Sequence, residues 1–201
     1  MKLWSIQTKE AFEALQNTGI LRACQDFIDP WYLPAYNWLA YQMNELIGSP
    51  PEGVRYPIWA WHTVDWMQKK PDLRKSLFNA QPAGSVCLEL EIDNSRVLLS
   101  DFENWHFVLN DWYYSEAHNQ QEFNDAEGYF DRLPSEQQKI AKELSWTKIF
   151  DIQPFENRWI RKGMLVQATF WELRLTDVTA VRFMRGRRTK NKEKADNVGL
   201  H

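Results

Sequence analysis

Paired indoles, an acid inside an apolar run, and a hydroxyl–carboxylate step at a strand-to-helix junction are the residues here typed and spaced for chemistry. The indoles are Trp59 and Trp61, in Tyr56-Pro57-Ile58-Trp59-Ala60-Trp61-His62. Side chains alternate along a strand, so both rings leave the same face. Two flat rings on one face either floor a core or wall a pocket. The acid is Glu172, in Phe170-Trp171-Glu172-Leu173. If the face it shares with Val166, Ala168 and Phe170 turns inward, desolvation raises its pKa, as a general acid or base requires. A rim pair with Arg174, Arg158 or Arg161 is the alternative. The junction is Ser100-Asp101. Asp101 suits the positive end of a helix, and free N–H groups at such a junction also hold ligands. Gln167, Thr169 and Ser100 offer a ligand neutral hydrogen bonds.

His62 ends the Trp strand, where sites are commonly built, whereas His106, His118 and His201 are scattered. A metal would need His62 to meet Asp101, Glu89 or Glu91 in space. Glu89 and Glu91 share a strand face that reads as solvated. The chain carries no phosphate-binding Gly-rich loop, G-x-S-x-G, H-E-x-x-H or Cys/His set with zinc spacing. Cys24 and Cys87 are too few for a disulfide framework and read as free, buried thiols.

The 201 residues include eleven Trp, with 44% hydrophobic and 25% charged residues. That is a globular composition with either an aromatic core or a surface of flat rings. A net charge of −3 does not recruit nucleic acid as a whole-molecule field. Positive charge gathers instead at Arg182, Arg185, Arg187, Arg188, Lys190, Lys192 and Lys194, the one place through which nucleic acid could be held. No run approaches the roughly 20 apolar residues of a membrane span, and the N-terminus enters an amphipathic strand directly. The expectation is a cytoplasmic protein with no membrane partner.

The elements that must position these residues follow from pattern. Residues 2–7 alternate as a strand. Thr8 caps a helix that Gly19 stops, with Phe12 and Leu15 as its apolar stripe. Residues 20–31 read as irregular, and a helix spans 34–47 with Pro34 in its first turn. The Trp strand follows, then a polar, Lys-rich excursion. Strands are expected at 84–91 and 96–99. Ser100-Asp101-Phe102-Glu103 has the capping-box pattern, with Ser100 as the N-cap. Polar helices are expected near 116–132 and 135–145, forming an outer layer or insert. A strand covers 164–173, with Gln167 and Trp171 opposite Phe170 and Glu172, and a last strand covers 178–184. Residues 185–201 read as a basic, aperiodic, disordered tail. Together these predict a single α+β domain over 1–184, with a mixed or mainly antiparallel sheet.

Several long motifs carry a resemblance: Leu3-Trp4-Ser5-Ile6-Gln7, Tyr56 to Trp61, Leu98-Leu99-Ser100-Asp101-Phe102 with Trp105 and Val108-Leu109-Asn110, and Val166 to Glu172. Over nearly the whole chain, to about Arg187, they resemble a bacterial family of Trp-rich proteins described only as a domain of unknown function. That implies a small soluble bacterial protein and no particular activity. A second likeness is one of layout. The first strand, immediate helix and Gly19-Ile20-Leu21, with a late strand holding Glu172, look like the opening and closing elements of ADP-ribosyltransferase-type domains. That likeness implies NAD or another nucleotide as ligand and Glu172 as the residue orienting its ribose. Where those domains offer an Arg or His, this chain has Trp4-Ser5-Ile6.

Two functions are therefore expected from different classes. In one, Trp59, Trp61, His62, Ser100, Asp101 and Gln167 line a cleft for a nucleotide-like ligand, with Glu172 as anchor or general base. In the other, the domain is non-enzymatic, its indoles are core and rim anchors, and its partner is a protein.

Overall fold

The computed structural model describes residues 1–78 and 84–184. In chain order the elements are β1 (Lys2–Gln7), α1 (Lys9–Thr18), β2 (Ile20–Arg22), α2 (Leu33–Ile47), β3 (Ile58–Thr63), β4 (Ser85–Glu91), β5 (Leu98–Asp101) and α3 (Phe102–Leu109). They continue with α4 (Gln120–Asp131), α5 (Ser135–Trp146), β6 (Phe155–Glu156), β7 (Arg161–Lys162), β8 (Val166–Phe170), β9 (Glu172–Arg174) and β10 (Val178–Met184). The main sheet has six strands in the order β10-β4-β1-β3-β8-β5, and every neighbouring pair is antiparallel. This is the expected α+β architecture. The basic tail from residue 185 lies outside the described residues.

Alternation on the strands divides the sheet into two buried faces. One collects Leu3, Ile58, Ala60, Val86, Leu88, Leu90, Ala168 and Phe170 under Phe12 and Leu15 of α1. Thr8 caps α1 by accepting from Ala11 N, and Gly19 closes it at φ 76°, a left-handed conformation that glycine takes without Cβ strain. The opposite face is covered in two parts. Over β3, β8 and β5, Leu98 and Trp59 meet Ala35, Leu39 and Met43 of α2 and Trp105 and Val108 of α3. Nearer β1 and β4, Trp4, Trp61 and Cys87 pack with Val64, Phe78 and Leu165.

Three local expectations are corrected. Residues 20–22 are a strand, pairing with β9 across 150 positions of sequence (Arg22 opposite Glu172); three residues are too few to show alternation. The run 164–173 is two strands. β8 ends at Phe170, and β9 resumes at Glu172 in a separate two-stranded sheet, a break that unbroken alternation hides. The N-cap of α3 is Asp101, whose carboxylate accepts from Asn104 N, rather than Ser100. The strand ends at Asp101, two residues beyond the expected 99, so the cap falls on the acid.

Candidate functional site

Register assembles the candidate residues more tightly than sequence spacing does. Trp61 on β3 lies opposite Gln167 on β8, and Gln167 lies opposite Ser100 on β5. In the other direction Trp61 faces Trp4 on β1, Trp4 faces Glu89 on β4, and Glu89 faces Ala180 on β10. Directly paired residues share a face, so one row crosses all six strands: Ala180, Glu89, Trp4, Trp61, Gln167, Ser100. Trp59 begins the adjacent row with Thr169 and Leu98.

Both indoles leave the same face, and both are embedded. Trp59 is half-buried, with ring centroids 6.1 Å from Tyr36 and 5.3 Å from Trp105. Trp61 is buried, 5.0 Å from Phe78 and 5.1 Å from Phe102. Edge-on and tilted contacts of this kind suit the ring quadrupoles and hold each indole in a fixed pose. Between Trp61 and Ser100, the half-buried Gln167 side chain makes no hydrogen bond to any described residue. The Ser100 hydroxyl is buried without a hydrogen-bond partner among the described residues, as is the amide nitrogen of Asn104 in the first turn of α3. The Thr169 hydroxyl, by contrast, is already committed, donating to Leu98 O at 3.2 Å.

Asp101 is buried and fully employed. One carboxylate oxygen accepts from Asn104 N at 2.9 Å and the other from Gly163 N at 2.6 Å. Burial pushes its pKa up, against the lowering effect of those two amides. His62 sits where the β3–β8 register slips between Trp61 and Thr63. Its Nδ1 lies 2.9 Å from Thr63 Oγ1, and burial, aided by the N-terminal ammonium, lowers its pKa.

Glu172 stands apart from this face. Its carboxylate accepts from Arg174 Nε and Nη2 at 3.1 and 3.0 Å and from Arg22 Nη2 at 3.4 Å. Arg96 braces the same corner, reaching Asp177 at 2.9 and 3.1 Å and Glu172 O at 3.2 Å. Alternation already puts Glu172 on the face opposite Gln167, and the break at Trp171 carries it into a second sheet as well. Trp59, Trp61, Gln167 and Ser100 are brought together; Glu172 is not brought to them.

Two arrangements escaped sequence reasoning. Lys162, buried on β7, donates to Glu116 at 3.0 Å and to Asp151. Burial works against its charge, but those two hydrogen bonds outweigh it and raise its pKa. The Tyr114 hydroxyl nearby is buried without a partner among the described residues. Burial and the neighbouring acids Glu116, Asp101 and Asp151 push it well above the usual phenol value. The other arrangement is a groove of about 280 Å³ lined by Trp4, Lys70, Cys87, Glu89, Ala180, Val181 and Arg182. Alternation on β1 and β4 orients its floor, but the pairing of β4 with β10 leaves no mark in sequence. Among the described residues no three His, Cys, Asp or Glu side chains are grouped to hold a metal, and no helix is long and apolar enough to cross a membrane.

No curated protein and no solved structure matches the chain. The layout likeness to ADP-ribosyltransferase-type domains therefore gains no support from a relative. A family model does match, over residues 2–179, nearly the whole described fold. The chain belongs to the family described as Domain of unknown function (DUF3841).

Proposed function

We propose that this protein is a small-molecule-binding domain of the bacterial cytoplasm. Its ligand surface is the sheet face carrying Trp59, Trp61, Gln167 and Ser100, and its ligand is flat and nucleotide-like. The observation that carries this reading is the unsatisfied polarity beside the indoles. The Ser100 hydroxyl is buried without a partner among the described residues, and the neighbouring Gln167 amide, only half-buried, bonds to no described residue and is left for a ligand. A buried polar group left unpaired costs roughly 1–3 kcal/mol. Such a cost is tolerated where a ligand supplies the missing partner. Trp59, the less buried of the two indoles, is the ring a flat ligand reaches first. His62 and Asp101 border this face as positioning groups, and Glu172 has no part in binding because its carboxylate is occupied by arginines. Free rather than paired cysteines fit a reducing compartment.

Isothermal titration with AMP, ADP, ATP and NAD tests the reading. Saturable heat for at least one nucleotide, lost in Gln167→Ala, supports it. Absence of binding across the panel removes it.

One observation favours a second reading, that of a protein-interaction domain. Phe27 is 90% exposed, Trp31 77% and Tyr41 62%, all within or just before α2. Exposed rings of this size are typical of interface anchors. If they are, Phe27→Ser with Trp31→Ser abolishes co-purification of a bound protein while leaving the nucleotide titration unchanged.

A further inference from the structure

α2 and α3 pack on part of the sheet face over β3, β8 and β5 through Leu98, Trp59 and Trp105. The groove of about 280 Å³ lies further along the same face, over β1, β4 and β10. Its floor is built by register. Trp4 faces Glu89 and Glu89 faces Ala180, while Cys87 faces Arg182. Lys70 closes it from the segment that follows β3.

The charges of the lining are unequal. Glu89 is already neutralised, with Lys2 Nζ at 2.5 Å and the Trp4 indole N–H donating to it at 3.3 Å. Cys87 adds no negative charge, because burial pushes its thiol up to about 11 against the opposing pull of Lys70 and Arg182. Lys70 and Arg182 both line the groove that Cys87 floors. Neither Lys70 nor Arg182, both exposed, has an ion-pair partner among the described residues. The result is a concave site whose floor carboxylate is paired with Lys2 and whose two positive walls are held in no ion pair among the described residues.

We propose that this groove binds an oxyanion group of a small ligand, phosphate or carboxylate, between the Lys70 ammonium and the Arg182 guanidinium. The guanidinium supplies a planar fork that matches two oxygens at once, and the ammonium supplies a point charge on the other side. Paired with Lys2, the Glu89 carboxylate repels the anion less than a free one would. The site is distinct from the Trp59–Gln167–Ser100 surface, since its charged walls come from β10 and the segment after β3 rather than from β8 and β5.

The test uses the full-length chain at low ionic strength, where charge recognition is least screened. Pyrophosphate and malonate are titrated separately, following heat and the backbone amide signals of Cys87, Glu89 and Arg182. Saturable binding by either probe with shifts at those amides is expected. Tighter pyrophosphate binding assigns a phosphate ligand, and tighter malonate binding a carboxylate. Lys70→Gln and Arg182→Gln each weaken binding about fivefold, and the double variant loses saturation. Lys139→Gln, an exposed lysine on α5, changes nothing, and Gln167→Ala leaves this binding intact even if nucleotide binding fails. Thermal melts confirm that the variants, changed at exposed Lys70, Arg182 and Lys139 and at half-buried Gln167, remain folded. No saturable binding of either probe, shifts confined to other amides, or full affinity in the double variant would overturn the assignment.

Discussion

Trp61 and Gln167 are direct register partners on β3 and β8, one ring locked by Phe78 and Phe102, the other side chain bonded to no described residue. Their energetic roles therefore differ. Trp61→Ala opens a cavity in a buried aromatic cluster and is expected to cost about 3–5 kcal/mol. Gln167→Ala removes no internal bond and is expected to stay within about 0.5 kcal/mol of the parent. Urea unfolding of the two variants checks this. A large loss for Gln167→Ala would mean that its amide does structural work.

Gly163 is fixed by its surroundings. It stands at φ 79°, and a Cβ there would lie 2.7 Å from Ile152 O and 2.9 Å from Pro154 Cα, both backbone. Its amide also supplies one of the two hydrogen bonds to Asp101. Gly163→Ala combines left-handed strain with a backbone clash and is expected to cost roughly 2–5 kcal/mol. Gly128 is the contrast: it lies in α4 with only the end of Arg132 at 3.7 Å from a new Cβ. Gly128→Ala is expected to stabilise by about 0.5–1 kcal/mol. Equal effects of the two substitutions in a thermal melt would contradict this account of the 163 turn.

What was legible in the sequence, and what was not, follows from the range of the interactions. Alternation on β1, β3, β4 and β10 depends on each strand alone, so the shared face of Trp59 and Trp61 was visible in advance. The row joining Trp61 to Gln167 and Ser100 depends on strand order and register, which involve pairings more than 60 positions apart. Glu172 alternates with Phe170 across the break at Trp171, so the passage of the chain to another sheet leaves no mark in the pattern. The aromatic partners of the two indoles come from α2, α3 and the segment after β3. No local pattern in residues 56–62 announces them.

Glu172 is paired with Arg22 and Arg174, and on the proposed reading it takes no part in ligand binding. Glu172→Gln removes the charge from a buried group holding charge-assisted hydrogen bonds, an expected loss of roughly 1–3 kcal/mol. Nucleotide affinity, in contrast, is expected to be unchanged. Reduced affinity with undiminished stability would return Glu172 to the ligand site.

His62 makes stability depend on mild acid. Burial lowers its folded pKa below the usual 6.5, so the unfolded chain takes up the proton first. Its contribution is complete above about pH 6.5 and is lost as pH falls toward the folded value, below which the dependence ends. His62→Gln is expected to flatten the fall in urea midpoint between about pH 7 and pH 5. Parallel profiles for parent and variant would show that the ring titrates alike folded and unfolded.

The central claim is that the face holding Trp59, Gln167 and Ser100 receives a nucleotide-like ligand. Amide chemical-shift mapping during a nucleotide titration tests it most directly. Saturable shifts concentrated at Trp59, Ser100 and Gln167, and missing in Gln167→Ala, are the predicted result. No shift at these three positions in a folded sample saturated with each nucleotide would contradict it.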